Sequence, residues 1–276
     1  MNCPNCGLAI RDHEWHCPNC LTDFGAPNVR QANHADEVAA LDARLRHAQD
    51  QLAQRALGAI GEKYLKALAS SVVVLCRGYA DVLDLLKSEN ESYATFYQLI
   101  EAEKRRPGTS TINPDRRQTD AIFFPFFERN IRFAALSLDG RGAAHYGPIS
   151  MVLSASGIRK RCSFFEMNTV EFARQHNLGP GRPVPPGFRA SWNTRAHLAL
   201  AKGHPKIASG TAPRDFTRLL LDGDDFVEAH IFGPIHRRSI QQLKIREPSR
   251  LPDQAYVSEI RDVIARDNLA IRVTMV

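Results

Sequence analysis

The amino-acid sequence predicts an α+β protein: a mixed, largely antiparallel sheet flanked by helices, preceded by a small four-cysteine ribbon and a helical linker. Three observations lead there. The motif CPNC occurs twice within the first twenty residues. Residues 34–57 contain no Pro or Gly and carry apolar residues at helical spacing. From residue 120 onward, apolar runs of strand length follow one another with few of the strand–helix–strand alternations of a parallel sheet. The corresponding divisions are 1–25, 26–60 and 61–276.

The ribbon rests on Cys3-Pro4-Asn5-Cys6 and Cys17-Pro18-Asn19-Cys20. Each CxxC supplies two thiolates from one tight turn, and two such turns complete a tetrahedral four-thiolate zinc site. So small a piece cannot bury enough core to fold alone, so the metal supplies much of its folding free energy. With all four places taken by protein, the zinc is structural. His13 and His16 lie inside the loop and are read as bystanders. A pair of disulfides is the alternative, disfavoured in a chain without a secretion leader. Cys76 and Cys162 have no partner in sequence and are read as buried thiols.

In the linker, Val38, Leu41, Leu45, Ala48 and Leu52 alternate spacings of three and four, the mark of an amphipathic helix with a narrow apolar seam. That seam either docks on its own chain or joins two copies in a short coiled coil, which would make the protein a dimer. The stretch 62–87 has two readings. Leu65, Leu68, Val72, Leu75, Tyr79, Val82 and Leu86 fit one long helix, whereas the β-branched Val72-Val73-Val74 followed by Gly78 fits a strand, a turn and a helix at 81–87. Ser88 and Glu91 have capping-box spacing, which predicts a helix over 89–105. Residues 107–119, PGTSTINPDRRQT, read as a flexible basic loop.

Beyond it, strands are predicted at 121–127, 131–138, 148–154, 161–165, 225–232, 240–245 and 269–275. Helices are predicted at 168–176, with Asn168 and Glu171 as a capping box, and at 191–202, 214–221 and 253–266. The segment LGPGRPVPPG at 178–187 is a rigid loop.

The chain's 276 residues, 43% hydrophobic and 24% charged, have an ordinary globular composition. No apolar run approaches the roughly 20 residues that cross a bilayer, and the N-terminus has no basic-then-apolar leader, so a cytoplasmic protein without membrane contact is expected. The net charge of +6 is uneven. Residues 100–161 carry eleven Lys/Arg against six Asp/Glu, with the runs Lys104-Arg105-Arg106, Arg116-Arg117 and Arg159-Lys160-Arg161. Such a middle attracts a polyanion such as nucleic acid, or else is a solvated basic surface. The ribbon, with Arg11 against Asp12, Glu14 and Asp23, is slightly acidic, which favours a protein contact there at least as much as nucleic acid. There is no P-loop, Rossmann fingerprint or GxSxG.

The order AIFFPFFERNIRF, GPISMVLSASGIRKRCSFFEMNTVEF, DDFVEAHIFGPIHRRSIQQLKI and a final helix and strand ending LAIRVTMV resembles the DNA ADP-ribosyltransferase toxins called DarT. The resemblance spans roughly 72–276 as an order of patterns with little identity. It implies an ADP-ribosyltransferase-like fold with NAD as substrate. It also implies a catalytic arginine after the aromatic run, nominating Arg129 with Arg132 as the alternative register, and a catalytic glutamate in FVEAHI, nominating Glu228. Where the family's early strand carries an NAD-contacting histidine, this chain has Cys76 and Arg77, so Arg77 is the candidate contact. His145 and Tyr146, ahead of a strand, are candidates to line a nicotinamide pocket, with a turn-forming role as the alternative. The loop 178–187 or the segment 204–224 would select the acceptor.

Breaking the ribose–nicotinamide bond develops positive charge on the sugar, which a fixed carboxylate stabilises, while an arginine holds phosphates or positions the acceptor. Glu228 lies in an apolar strand, where an unpaired buried carboxylate would be costly. The competing reading is that strand alternation turns Glu228 and His230 to solvent. The expected function is NAD-dependent ADP-ribosylation of nucleic acid, by a bacterial toxin or anti-phage effector with a possible antitoxin or other protein partner through the ribbon. The alternative is a non-catalytic zinc-ribbon adaptor binding nucleic acid or a protein.

Overall fold

A computed structural model of the chain describes residues 1–89, 93 and 112–276. The predicted helix at 89–105 and the basic run 104–106 lie almost wholly outside the described residues. The architecture is α+β. Eight strands form one sheet: β1 (Val72–Arg77), β2 (Ile131–Ser137), β3 (Ile149–Leu153), β4 (Cys162–Phe165), β5 (Arg189–Ser191), β8 (Glu228–Phe232), β9 (Ile240–Ile245) and β10 (Arg272–Met275). Their order is β10-β9-β3-β1-β2-β8-β4-β5, and β6 (Leu221–Asp222) with β7 (Asp225–Phe226) makes a separate hairpin. Neighbours are antiparallel except β9 and β10, which are parallel.

Because side chains alternate along each strand, the sheet sorts its residues onto two faces. One face carries Val73, Leu75, Ala134, Leu136, Met151, Leu153, Cys162, Phe164, Ala229, Ile231, Leu243 and Ile245, all buried in the main core. Five helices supply the other side of that core: α2 (Ala35–Gln54), α3 (Gly58–Leu68), α4 (Tyr79–Lys87), α8 (Arg195–Gly203) and α10 (Leu251–Arg266). The linker seam belongs to this core, with Leu41 and Leu52 buried and Leu45 packed against it. The seam offered for a coiled coil is therefore occupied by the chain's own core.

The opposite face is covered by α1 (Pro27–Ala32), α5 (Ile112–Phe123) and α7 (Thr169–Gln175) over a smaller aromatic core. That core holds Phe123, Phe124, Phe127, Ile131, Phe165, Phe172 and Phe232. The small helices α6 (Ala155–Ile158) and α9 (Phe216–Leu220) sit between strands.

The stretch 62–87 follows its strand reading: α3, β1 and α4 in succession. The predicted strand 121–127 is corrected, because Ala121–Phe123 ends α5 and a turn follows. The physical reason lies just upstream. Pro114 stands in the first turn of a helix, where proline is tolerated, and Arg116, Thr119, Asp120 and Phe123 recur at the spacing of one helical face. The predicted basic loop is, from residue 112, this same helix. The strand predicted over 225–232 is broken between β7 and β8, and β5 was not foreseen. Asn168 caps α7 through Val170 N–H, 3.0 Å, whereas Glu171 pairs with Gln175 and Arg174 and does not close a capping box. Among the described residues no helix is long and apolar enough to cross a membrane.

Candidate active site

Glu228 and His230 fall two apart on β8 and so share one face, the aromatic one. Strand β8 is interior to the sheet. Glu228 lies opposite Ala135 on β2 and Phe165 on β4, and His230 lies opposite Phe133 and Ser163. Neither side chain reaches solvent, since both residues are 2% exposed under α5 and α7.

A buried carboxylate needs donors, and Glu228 has them. Its Oε2 accepts from the Thr169 N–H at the start of α7, 3.1 Å, and from His230 Nε2, 3.0 Å. Its Oε1 faces Arg116 Nη1 at 3.8 Å. Helix α5 brings Arg116 there and places Asp120 one turn on, 0% exposed, with Arg116 Nε 3.1 Å from its Oδ1. The Arg116 guanidinium lies 3.6 Å from the centre of the Phe133 ring. One arginine thus bridges two buried carboxylates over an aromatic face.

The phenylalanine run holds this cluster in place. Phe124 meets the His230 ring edge-on at 4.8 Å, Phe133 does so at 5.4 Å and Phe165 lies parallel at 6.3 Å. Phe123 packs on Phe165 and Phe172. Burial raises the Glu228 carboxyl, but the His230 hydrogen bond, the Arg116 charge and the Thr169 amide outweigh it, holding Glu228 below its ordinary value. Burial pushes His230 down further than Glu228 lifts it. The stable form is an ionised glutamate accepting from a neutral imidazole.

Beside this cluster the sheet parts. The register between β1 and β2 ends at Val74↔Ala135, while Leu75–Arg77 continue paired with β3 alone. Over that gap Tyr146, in the turn Ala144–Tyr146, lies 6.4 Å from Phe226 ring to ring. Burial raises its hydroxyl, and the charges of Asp224 and Glu228 add to the shift. His145 Nε2 lies 2.8 Å from Asp224 on the β6–β7 turn. Gly147 at φ +144 presses against Arg77, where an added Cβ would stand 2.3 Å from the Arg77 carbonyl carbon. Arg77 itself stacks on Tyr93 at 4.6 Å.

Arg129 is placed elsewhere. It is exposed in the turn Glu128–Asn130, six residues before Ala135 and at the far end of β2 from Glu228. Arg132 points to the opposite face of the sheet from Phe133 and Glu228. The arginine at Glu228 is Arg116, which sequence reading put in a loop; Arg116, Asp120 and Phe123 at four- and three-residue spacing were the signal available. His230, expected at the surface with Glu228 if the strand were half-buried, is inside.

At the N-terminus the Sγ atoms of Cys3, Cys6, Cys17 and Cys20 all lie within 4.8 Å of one another, with Cys3–Cys20 and Cys6–Cys17 at 3.5 Å. Zn–S bonds of about 2.3 Å at tetrahedral angles put sulfurs about 3.8 Å apart, so the set fits zinc. The two turns are backbone copies. Gly7 N–H bonds to Cys3 O and Leu21 N–H to Cys17 O, both 2.9 Å, with positive φ at Gly7 and Leu21. Arg30 ties the ribbon down by donating to the carbonyls of Asp12, Glu14, Phe24 and Gly25. Trp15 packs edge-on against Phe232, 5.3 Å, and His13 lies 4.9 Å from Phe126.

No protein-family model matches the chain, and no curated protein is found similar to it. Among solved structures it is similar to Thermus sp. 2.9 DarT in complex with carba-NAD+, at 10% identity and TM-score 0.39 over 75% of this chain and 95% of that one. The same protein in complex with ADP-ribosylated ssDNA gives 12% identity and TM-score 0.39 over 75% and 94%. In complex with NAD+ it gives 10% and 0.38 over 74% and 95%. Likeness at this level leaves the functional reading to the residues themselves.

Proposed function

We propose that the chain is an NAD-dependent ADP-ribosyltransferase that modifies nucleic acid. The observation that carries the reading is Glu228: an ionised carboxylate buried on an interior strand, held by a neutral histidine and a helix-start amide and facing an arginine 3.8 Å away. In the transfer, the bond from the ribose C1′ of NAD to nicotinamide breaks and a bond from C1′ to an acceptor atom forms. Nicotinamide leaves neutral, and the acceptor's proton passes to Glu228 or to water. Glu228 stabilises the cationic sugar. His230 and the Thr169 amide fix the carboxylate's rotamer. Arg116 neutralises the pyrophosphate or orients the acceptor with its fork. Tyr146, with His145 and Arg77 beside it, lines the gap between β1 and β2 as the nicotinamide side of the site. Arg116 takes the arginine role first nominated for Arg129, and Arg129 is assigned to the acceptor side.

The residue divisions 1–25, 26–60 and 61–276 are proposed as ribbon, linker and transferase unit, with zinc on the four cysteines maintaining the ribbon. A role as a toxin or anti-phage effector, with an antitoxin or another partner on the ribbon, extends the same reading. It predicts growth arrest on expression that Glu228→Ala relieves.

The test is nicotinamide release from NAD in the presence of single-stranded DNA or RNA, wild type against Glu228→Ala. Release that depends on nucleic acid and disappears in the variant supports the proposal. Equal release, or none with either acid, leaves the second reading, a non-catalytic adaptor, which the near-complete hydrogen bonding of Glu228 also suits.

A further inference from the structure

At the end of the sheet away from Glu228, the strands β2, β4 and β8 finish together under the ribbon. Arg132 there is 6% exposed, and its Nη1 donates to Asn130 O at 2.9 Å while its Nε is buried without a partner. Arg161 donates from Nη1 to Phe232 O at 2.6 Å and from Nε to Gly157 O at 3.0 Å. Asn130 O also accepts from Gly233 N–H, the residue after Phe232, so the two guanidinium groups hang from adjacent points of one strand end. Burial and the neighbouring Arg161 charge lower Arg132 to about 10. Among the described residues no carboxylate lies within ion-pair distance of either arginine, and none contributes to their titration.

Two like charges partly removed from water with no counter-charge are unfavourable unless something anionic joins them. The ribbon side of the same strand end is aromatic. Phe126 is 82% exposed and Trp15 is 51% exposed, and Trp15 leans on the ring of Phe232 whose carbonyl Arg161 holds. Exposed Arg129 stands between Phe126 and Arg132 in sequence. Guanidinium groups beside flat exposed rings match a chain of alternating phosphates and bases.

We infer that this end of the sheet binds a single strand of nucleic acid, with Arg161 on a backbone phosphate, Arg132 adding its charge from the opposite face of the strand end, and Trp15 and Phe126 stacking on neighbouring bases. The inference deepens the proposed function, on which its choice of nucleic acid rests. Phe232 lies four residues along β8 from Glu228, about 13 Å at strand rise, so one short strand spans both places.

Trp15 is its own reporter. The chain has two tryptophans, and Trp192→Phe leaves Trp15 as the sole emitter. A thymidine oligonucleotide of about 12 residues, within the site sizes of single-strand binders, is titrated into the zinc-loaded full chain. Saturable quenching of Trp15 is expected. Arg161→Gln should weaken binding at least tenfold and lower the slope of log affinity against log salt by about 0.7, the share of one phosphate contact. Trp15→Ala, followed by anisotropy of a labelled oligonucleotide, should weaken binding without changing that slope. Since Arg132 is buried and its replacement threatens folding, Arg161→Gln carries the charge test.

The inference is overturned if both variants bind like the parent, or if inorganic phosphate at equal phosphate concentration quenches Trp15 as well as the oligonucleotide does. The second result would mean a free-anion site only. Failure of the transferase reading is separable. Oligonucleotide binding that depends on Arg161, without nicotinamide release, sinks the transferase and keeps this site. DNA-dependent release with unaltered affinity in Arg161→Gln does the reverse.

Discussion

The two faces of the sheet are made from the same strands and do different work. On one, Ala229, Ile231, Leu243 and Ile245 meet five helices in an apolar core. On the other, one position along, Glu228 and His230 meet Arg116 and Asp120 among phenylalanines. Burial is as complete on the polar face, yet its ionisable groups are retained at a cost in desolvation that the apolar face does not bear. The difference sets a face filled by packing alone against one whose ionisable groups suit the proposed chemistry. Each face should respond to substitution in its own currency.

The largest separation is expected from paired substitutions on β8. Glu228→Gln should lower nicotinamide release by about 100- to 1,000-fold, the range for losing one preorganised electrostatic group, with a small change in melting temperature. Next, Ile231→Ala should cost about 2–5 kcal/mol of stability from the cavity it opens, with turnover per folded molecule unchanged. Urea unfolding alongside steady-state rates distinguishes them, and the comparison breaks if Ile231→Ala lowers turnover as far as Glu228→Gln does. Arg116→Ala follows, with an expected drop of about tenfold or more in kcat/KM. Arg116→Lys should not restore it, because an ammonium lacks the fork and the flat face that lies on Phe133. Full rescue by lysine would reduce Arg116 to a point charge.

A pH effect comes next. His230 is held below its unfolded value near 6.5, so the unfolded chain takes up a proton first and stability falls as pH drops from about 6.5. Glu228 is held below its ordinary carboxyl value, so its contribution is complete above that value and is lost as pH falls through the lower folded one. Melting curves from pH 7 to 4 should therefore slope downward in the wild type and less so in His230→Asn. Equal slopes would place the acid sensitivity elsewhere. The smallest effect on the sheet should come from chelation, which is expected to loosen the ribbon and change Trp15 emission while the far-ultraviolet signal of the sheet persists. Loss of both signals together would make the ribbon part of one cooperative unit.

How far the sequence reveals this arrangement depends on the kind of residue. Two CPNC turns announce four converging sulfurs because ligand spacing is local. The apolar strands and Glu228 within one of them are legible because a carboxylate amid β-branched and aromatic residues is conspicuous. Strand alternation put Glu228 and His230 on one face but could not say what covers it, since Phe124 and Thr169 arrive from α5 and α7, distant in sequence. FFPFF read as a strand because five such residues satisfy either period; only its continuation backward through Asp120 and Arg116 identifies the helix. Arg116 carries no such local signal, whereas Arg129 adjoins the conspicuous run. The aromatic run marks the neighbourhood of Glu228, and the guanidinium that faces this carboxylate at 3.8 Å is that of Arg116.

The contact between Trp15 and Phe232 also has a consequence in time. The ring of one is made 217 residues before the ring of the other, 232 less 15. At about 5–20 residues per second of synthesis, that is a delay of roughly 10–40 s. Through that interval the metal-bound turns would stand alone, with the aromatic side chain that will seat them still unsynthesised. Glu228 arrives in the same late stretch as Phe232. A nascent chain would thus acquire its buried carboxylate and the landing place for its ribbon almost together.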